Sequence, residues 1–217
     1  MGKLTAEAIV DKALEIGDTE GLDAVTIRRL AADLGVTPMA LYWHFKNKEQ
    51  LMVGMADHLI AGFAPQAADE RPWQEQLHDL VLGLIRVLRR YPCAKTLLEQ
   101  IDQTAVPHFL AVWDRALGLA HSAGFSHEES CVITKYLLQS AIAIADAPVH
   151  FRPGRTPEEV AELVRVKRLS LQTLPAEKYP NLVAMARPMV EGISEEFYDS
   201  FGVDLVLGGI AALAARR

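Results

Sequence analysis

The chain has 217 residues, half of them apolar, with 28 acidic and 22 basic side chains and a net charge of −6. That length can hold one large domain or a small head on a larger body, and the apolar half suits a mostly buried helical protein. The negative balance excludes a protein that coats nucleic acid through bulk charge, and leaves room only for one that uses a few well-placed cations.

Residues 5–20 read as a first helix, in which Ile9, Val10, Ala13, Leu14 and Ile16 form an inward stripe and Gly21 is the stop. Thr26 is the expected N-cap of a second helix, with Ile27, Leu30, Ala31 and Leu34 at helical spacing. Gly35 ends that helix where a left-handed residue is needed, and Val36 plugs the turn. Thr37 then caps a third helix with Pro38 at its first position, where a missing N–H costs nothing. Leu41 and Phe45, four apart, point to the core, which leaves Tyr42, Trp43, His44 and Lys48 facing outward. A turn this short sets the two helices at roughly 90–120°, the angle of a helix-turn-helix. The competing reading is a plain bundle corner. Against it, a Tyr-Trp pair facing water is unfavourable, and it lies beside Lys46 and Lys48 with Arg28 and Arg29 on the preceding helix. DNA phosphates and base edges accept such donors. The first 48 residues carry six basic against seven acidic side chains, but from Arg28 to Lys48 four cations face only Asp33.

Asn47 caps a fourth helix that runs to about Phe63, with Gln50 at the capping-box position and Pro65 closing it. Residues 64–72 are polar and proline-flanked and read as a joint. The body reads as helices near 73–90, 93–103, 106–123, 127–146, 157–173 and 193–214, with a short one around 181–189. Ser126 with Glu129, and Thr156 with Pro157 and Glu159, look like helix starts with capping boxes. Pro148–Gly154 breaks the pattern, and the polar, proline-punctuated stretch 150–180 is a candidate gate. Segments 127–146 and 197–214 are apolar on more than one face and carry small residues (Ala141, Ala143, Ala145, Gly208, Gly209, Ala211, Ala212). A helix apolar nearly all round is central or covered by another chain. Cys93 and Cys131 have no metal-motif spacing and read as free core thiols of a reducing compartment. The start of the chain lacks the apolar core of a signal peptide, and the run 205–215 is too short to span a bilayer, so a cytoplasmic protein without a membrane partner is expected.

The run Leu41-Tyr42-Trp43-His44-Phe45-Lys46-Asn47-Lys48 resembles the signature of the tetracycline-repressor (TetR) family of bacterial one-component regulators, close to its founding branch. The likeness runs without a gap from about Leu4 to Leu51. It continues more weakly through Ala123-Gly124-Phe125-Ser126 and the stretch from Phe201 to Gly209. The resemblance implies an all-α fold, with an N-terminal three-helix helix-turn-helix head (1–47), a connecting helix and joint (48–72), and a larger helical effector-binding and dimerisation body (73–217). It implies a homodimer through the helices near 127–146 and 197–214, as a helix-turn-helix reading two half-sites also requires.

Carried over by position, Arg28 matches the arginine that reads a guanine. Thr26, Tyr42, Trp43, His44 and Lys48 match residues that hold phosphates or pack on the DNA backbone. Thr37, Pro38, Met39 and Ala40 occupy the base-reading start of the recognition helix. The founding repressor has glutamine where Thr37 stands, and Met39 and Ala40 offer only apolar contact, so a different operator is expected. A one-component regulator needs a mostly apolar pocket. Its candidates are Leu84, Leu88, Leu97, Gln100, Thr104, Phe109, Trp113, Leu117, Thr134, Leu138 and Gln139, with Trp113 and Gln100 favoured as buried polar handles. Where the founding repressor uses histidine and asparagine to bind magnesium–tetracycline, this chain has Ala64, Leu80, and Leu97 or Gln100. No metal, no cofactor and a more apolar effector are therefore expected.

The reading is a repressor released from a palindromic DNA operator by a small, largely apolar molecule. Repression and activation are not separable by sequence, and a regulator answering to a protein partner is a further alternative. An all-helical enzyme is another, with Glu99, Asp102 and His108, or His127 with Glu128 and Glu129, as acid–base groups. The chain has no nucleophile elbow, phosphate loop or metal-binding histidine pair to favour it.

Overall fold

The computed structural model describes residues 4–65, 69–147 and 156–217. The middle of the expected joint and the expected break at Pro148–Gly154 lie outside the described residues. Twelve helices and two short 3₁₀ turns, with no strand, make up the described residues. The head contains α1 (Ala6–Glu20), α2 (Ile27–Leu34) and α3 (Pro38–Tyr42), and α4 (Lys48–Ala61) follows. Next come α5 (Trp73–Arg90), α6 (Ala94–Gln100), α7 (Pro107–Ser122) and α8 (His127–Asp146). The last four are α9 (Pro157–Gln172), α10 (Pro180–Ala184), α11 (Ala186–Glu191) and α12 (Glu195–Ala214).

The caps fall where side-chain chemistry puts them. Thr5, Thr26 and Thr37 each accept a hydrogen bond from the backbone N–H three residues on, and Asn47 does the same for Gln50. At the start of α4 the box is offset by one, because Gln50 Oε1 accepts from the N–H of Lys46 and not from that of Asn47. Ser126 with Glu129, and Thr156 with Glu159, close both halves of a capping box. Two expected helices differ from their pattern, one cut short and one broken in two. The one expected over 93–103 ends at Gln100, where Asp102 caps a separate 3₁₀ turn, and the one around 181–189 is two short helices meeting at Met185.

Two compact units divide the described chain: one holds residues up to Ala145 together with Val203–Arg217, the other spans Asp146–Gly202. The first unit has two apolar clusters. One joins α1, α2, α3 and α4 to α6, with Ile9, Leu30, Leu41, Leu51, Met55 and Leu97 fully buried. The other joins α5, α7, α8 and the end of α12 around Leu77, Ile85, Ala120, Ala141 and Val203. In the second unit α9 packs against α10 and α11, and Glu191 pairs with both Arg168 and Arg187.

Both thiols are free, but only Cys93 lies in the core as expected. Cys93 is buried where α1 meets α6: its N–H donates to Asp18 Oδ1 at 3.0 Å, and burial reinforced by that carboxylate pushes its pKa up to about 12. Cys131 is exposed on α8 and is not a core residue.

Close packing of α4 against α5 depends on Gly83, since a Cβ there would lie 2.7 Å from Phe63 Cβ and Cγ, the rigid root of that ring. Gly118 on α7 has nothing within 4 Å of the same position. Gly83→Val should therefore cost about 1–3 kcal/mol through overpacking, while Gly118→Ala should gain up to about 1 kcal/mol of helix propensity. Urea denaturation of both variants checks this, and shifts of the same sign would refute the packing argument.

Candidate nucleic-acid interface and effector cavity

The turn between α2 and α3 is built as its sequence demands. Gly35 adopts the left-handed conformation (φ 65°), which lets the N–H of Val36 reach back to Ala31 O at 2.9 Å. Leu41 and Phe45 are buried beneath the turn. Outward stand Met39, Tyr42, His44 and above all Trp43, which is 86% exposed. Thr26, Thr37 and Pro38 are also exposed, and Ala40 is half-buried.

The cations of the head are not equivalent. Arg28 is exposed and makes no ion pair among the described residues. Arg29 is held between Glu20, at 2.7 and 2.9 Å, and Asp33, at 3.0 Å. Hydrogen bonds to those two carboxylates raise the Arg29 pKa, so its charge is spent within the head and is not offered outward. Lys48 is half-buried, and its ammonium donates to Leu22 O at 2.9 Å, tying the start of α4 to the 3₁₀ turn after α1. This corrects the expectation that Lys48 simply faces outward: the first turn of α4 lies within lysine's reach of the Leu22 carbonyl, which also accepts from the Val25 N–H at 3.2 Å.

A cavity of about 520 Å³ lies between the end of α4 and helices α5, α7 and α8. Six of the eleven expected pocket residues line it: Leu84, Phe109, Trp113, Leu117, Thr134 and Leu138. The other five do not. Leu97 is fully buried in the head-side cluster and Leu88 packs against that cluster, because α6 and the end of α5 lean toward the head. Gln100, Thr104 and Gln139 are exposed, and the Thr104 hydroxyl donates to Asp102 at 2.7 Å. Trp113 is no buried handle either; it is 40% exposed and meets Phe109 edge to face with ring centroids 5.7 Å apart.

Sequence reasoning missed the stripe Leu77, Leu80, Val81 on α5, which continues at helical spacing to Leu84, and missed Val112 and Ala116 on α7. It also missed Ile60 and Phe63 from the end of α4, and Cys131, Lys135, Leu137 and Ala141 on α8. The i, i+3, i+4, i+7 spacing from Leu77 was the available signal. Nothing local marks the end of α4 as cavity wall.

The polar groups of this wall are few. Thr134 is buried and its hydroxyl has no hydrogen-bond partner. Among the described residues the lining carries no carboxylate, imidazole or amide, and so no oxygen-rich donor set of the kind magnesium requires. Four of the six groups considered for catalysis are engaged elsewhere. Asp102 caps its 3₁₀ turn, Glu129 belongs to a capping box, and His127 stacks on His121. His108, at the start of α7, is bound to Asp57 of α4: its N–H donates to Oδ1 and its Nδ1 lies 2.9 Å from Oδ2.

Residues 9–55 match the family described as bacterial regulatory proteins, tetR family, and residues 64–214 match the tetracyclin repressor-like C-terminal domain. The chain is 37% identical over 94 residues to the tetracycline repressor protein class D of Escherichia coli, a match covering 42% of this chain and 43% of that protein. The aligned part is thus less than half of that relative. It is 26% identical to the HTH-type transcriptional repressor DrrR1 of Streptomyces coeruleorubidus, over 99% of this chain and 80% of that one. Among solved structures, the TetR family protein ActR of Streptomyces coelicolor in complex with actinorhodin superposes with a TM-score of 0.72 at 25% identity, covering 98% of this chain and 99% of that chain. With the helix-turn-helix and the whole body both accounted for, this chain belongs to the tetR family of bacterial regulatory proteins.

Proposed function

We propose that this chain is a ligand-responsive transcriptional repressor, released from a palindromic DNA operator by a small, largely apolar effector. The observation that carries the reading is α4. At its middle, Gly54 lies against the ring of Phe45, which follows α3, and Ile60 in its last turn and Phe63 just beyond it wall the cavity. One rigid helix touches both the DNA-facing part and the pocket. The functional division is accordingly a head over 1–47, a connecting helix and joint over 48–72, and an effector and dimerisation body over 73–217.

In this reading Arg28 reads a guanine, while Thr26, Tyr42, Trp43, His44 and Lys48 hold or pack on the DNA backbone. Thr37, Pro38, Met39 and Ala40 meet the base edges, with Met39 suited to a thymine methyl. A second copy supplies the other half-site. Support comes from apolar side chains left exposed on α8, Val132 and Tyr136, and on α12, Leu205 and Leu213. Helix α12 is long and apolar enough to cross a bilayer by length and composition, more so than the run 205–215 suggests by itself. Asp204 within that helix, and a family whose ligand is an operator, favour burial against a partner chain in the cytoplasm.

Release requires only that the effector prefer the DNA-incompetent arrangement, typically by about 1–3 kcal/mol. Asp57 and His108 are the direct polar link between α4 and the pocket helix α7. No side chain of the pocket is assigned to turnover, and the relatives are regulators rather than enzymes.

Fluorescence anisotropy on DNA from upstream of the gene tests the function, with scrambled DNA as control. Arg28→Ala should cost about 1–3 kcal/mol on the operator and much less on scrambled DNA; equal losses on both would remove its base-reading role. Trp43→Ala should weaken binding to both DNAs while leaving folding stability within about 0.5 kcal/mol, as for an exposed side chain. Once a molecule that releases the DNA has been found in the same assay, His108→Ala and Asp57→Asn should each reduce the coupling between the two ligands by about 0.5–2 kcal/mol. Undiminished release in both variants would place the coupling elsewhere.

A further inference from the structure

The first turns of α8 present three polar side chains to an otherwise apolar cavity: Cys131, Thr134 and Lys135, at positions i, i+3 and i+4 on one helical face. Thr134 is only 7% exposed, and its hydroxyl bonds neither to the preceding turn nor to any neighbour. A buried hydroxyl without a partner is costly, and a mid-helix threonine ordinarily returns its proton to the carbonyl four residues back. Lys135 contributes the one formal charge of the lining, and it makes no ion pair among the described residues. Two unspent donors, one of them cationic, therefore sit on adjacent residues of a wall that contains no carboxylate.

We infer that the cavity is built for an apolar organic anion, a carboxylate or phenolate carried on an alkyl or aromatic body. Its charged oxygen accepts from the Thr134 hydroxyl and the Lys135 ammonium, and its body fills the space between α5 and α7. This rests on the reading of the cavity as the effector site and names the class of molecule it takes. Lys135 is exposed at the cavity edge, so a neutral molecule of the same shape can accept from Thr134 but gains no charge-assisted bond, and a cation is repelled by the ammonium. The charge-assisted pair is what separates the classes. A volume of about 520 Å³ lies within the ordinary range for small-molecule sites.

Calorimetric titration of the full-length protein tests this, using octanoate, decanoate and dodecanoate beside the corresponding alcohols and alkyltrimethylammonium ions. The best carboxylate should bind about tenfold tighter than its alcohol, and the cation weaker still. Lys135→Met should erase the preference for acid over alcohol. Thr134→Val, which keeps the shape and removes the orphaned hydroxyl, should weaken the acid several-fold while leaving the protein at least as stable. Alkylation of Cys131 by N-ethylmaleimide localises the ligand. Cys93 is buried with a raised pKa and does not compete in the folded protein, so bound decanoate should slow labelling.

An acid that binds no better than its alcohol, a preference surviving in Lys135→Met, binding without protection of Cys131, or no binding of any of the three acids would each overturn the inference. Operator binding is read separately by anisotropy. Anion selectivity without operator binding would therefore refute the repressor reading and leave this site standing, and operator binding without anion selectivity would do the reverse.

Discussion

Helix α4 is asked to bury two surfaces at once. Leu51, Met55 and Ala56 are fully excluded from solvent against α1 and the helix-turn-helix, while Ile60 and Phe63, a turn or two further on, face the body. Side chains on a continuous helix keep their mutual geometry, because interiors packed at crystal-like density do not deform smoothly. Gly54 and Phe45 pack closely enough that a Cβ on Gly54 would lie 2.8 Å from the ring. Gly83 draws α5 close against Phe63, and the Asp57–His108 contact holds α7 to the same rod. Both ends of the helix are constrained by packing, and the middle is constrained by a pair of hydrogen bonds.

The electrostatics of the head follow from the same economy. An acidic chain cannot gather DNA by its overall field, so each cation has a defined placement. Arg29 is consumed by Glu20 and Asp33 and stiffens the junction of α1 with α2. Lys48 spends one N–H donor on Leu22 O and so ties the start of α4 to the head, with two N–H donors left over. Arg28 remains unpaired, beside the exposed Met39, Tyr42 and Trp43. A surface with few free cations and a large aromatic contact depends on fit more than on attraction, which favours selective over indiscriminate binding.

The body keeps its polar groups scarce and concentrates them. Buried polar side chains elsewhere in the first unit are engaged: the amide of Gln76 donates to Asp69 O and Arg71 O, and the hydroxyl of Ser130 donates to Ser126 O. Against that background an unpartnered hydroxyl at Thr134 stands out. A cavity wall can carry such a group at moderate cost only if something else completes the hydrogen bond, and the adjacent ammonium of Lys135 narrows what that something is.

Nearly every helix was legible in the sequence, because caps, stops and apolar periodicity act over three or four residues. Thr26, Gly35, Thr37, Asn47 and the Ser126–Glu129 box each fix their helix end by a contact with a near neighbour. The outward face of α3 was legible for the same reason, since burying Leu41 and Phe45 forces Tyr42 and Trp43 out. What the sequence by itself could not determine were contacts made across elements. Arg28 and Arg29 look alike until Glu20, nine residues away, takes one of them. Lys48 looks free until Leu22 O is brought beside it. Leu97 and Leu84 are equally apolar, yet one closes the head-side core and the other walls a cavity, because that choice belongs to the packing of four helices and not to either residue. Local interactions decided where the helices are; only the tertiary structure decided which of their faces meet a neighbour and which meet an empty space.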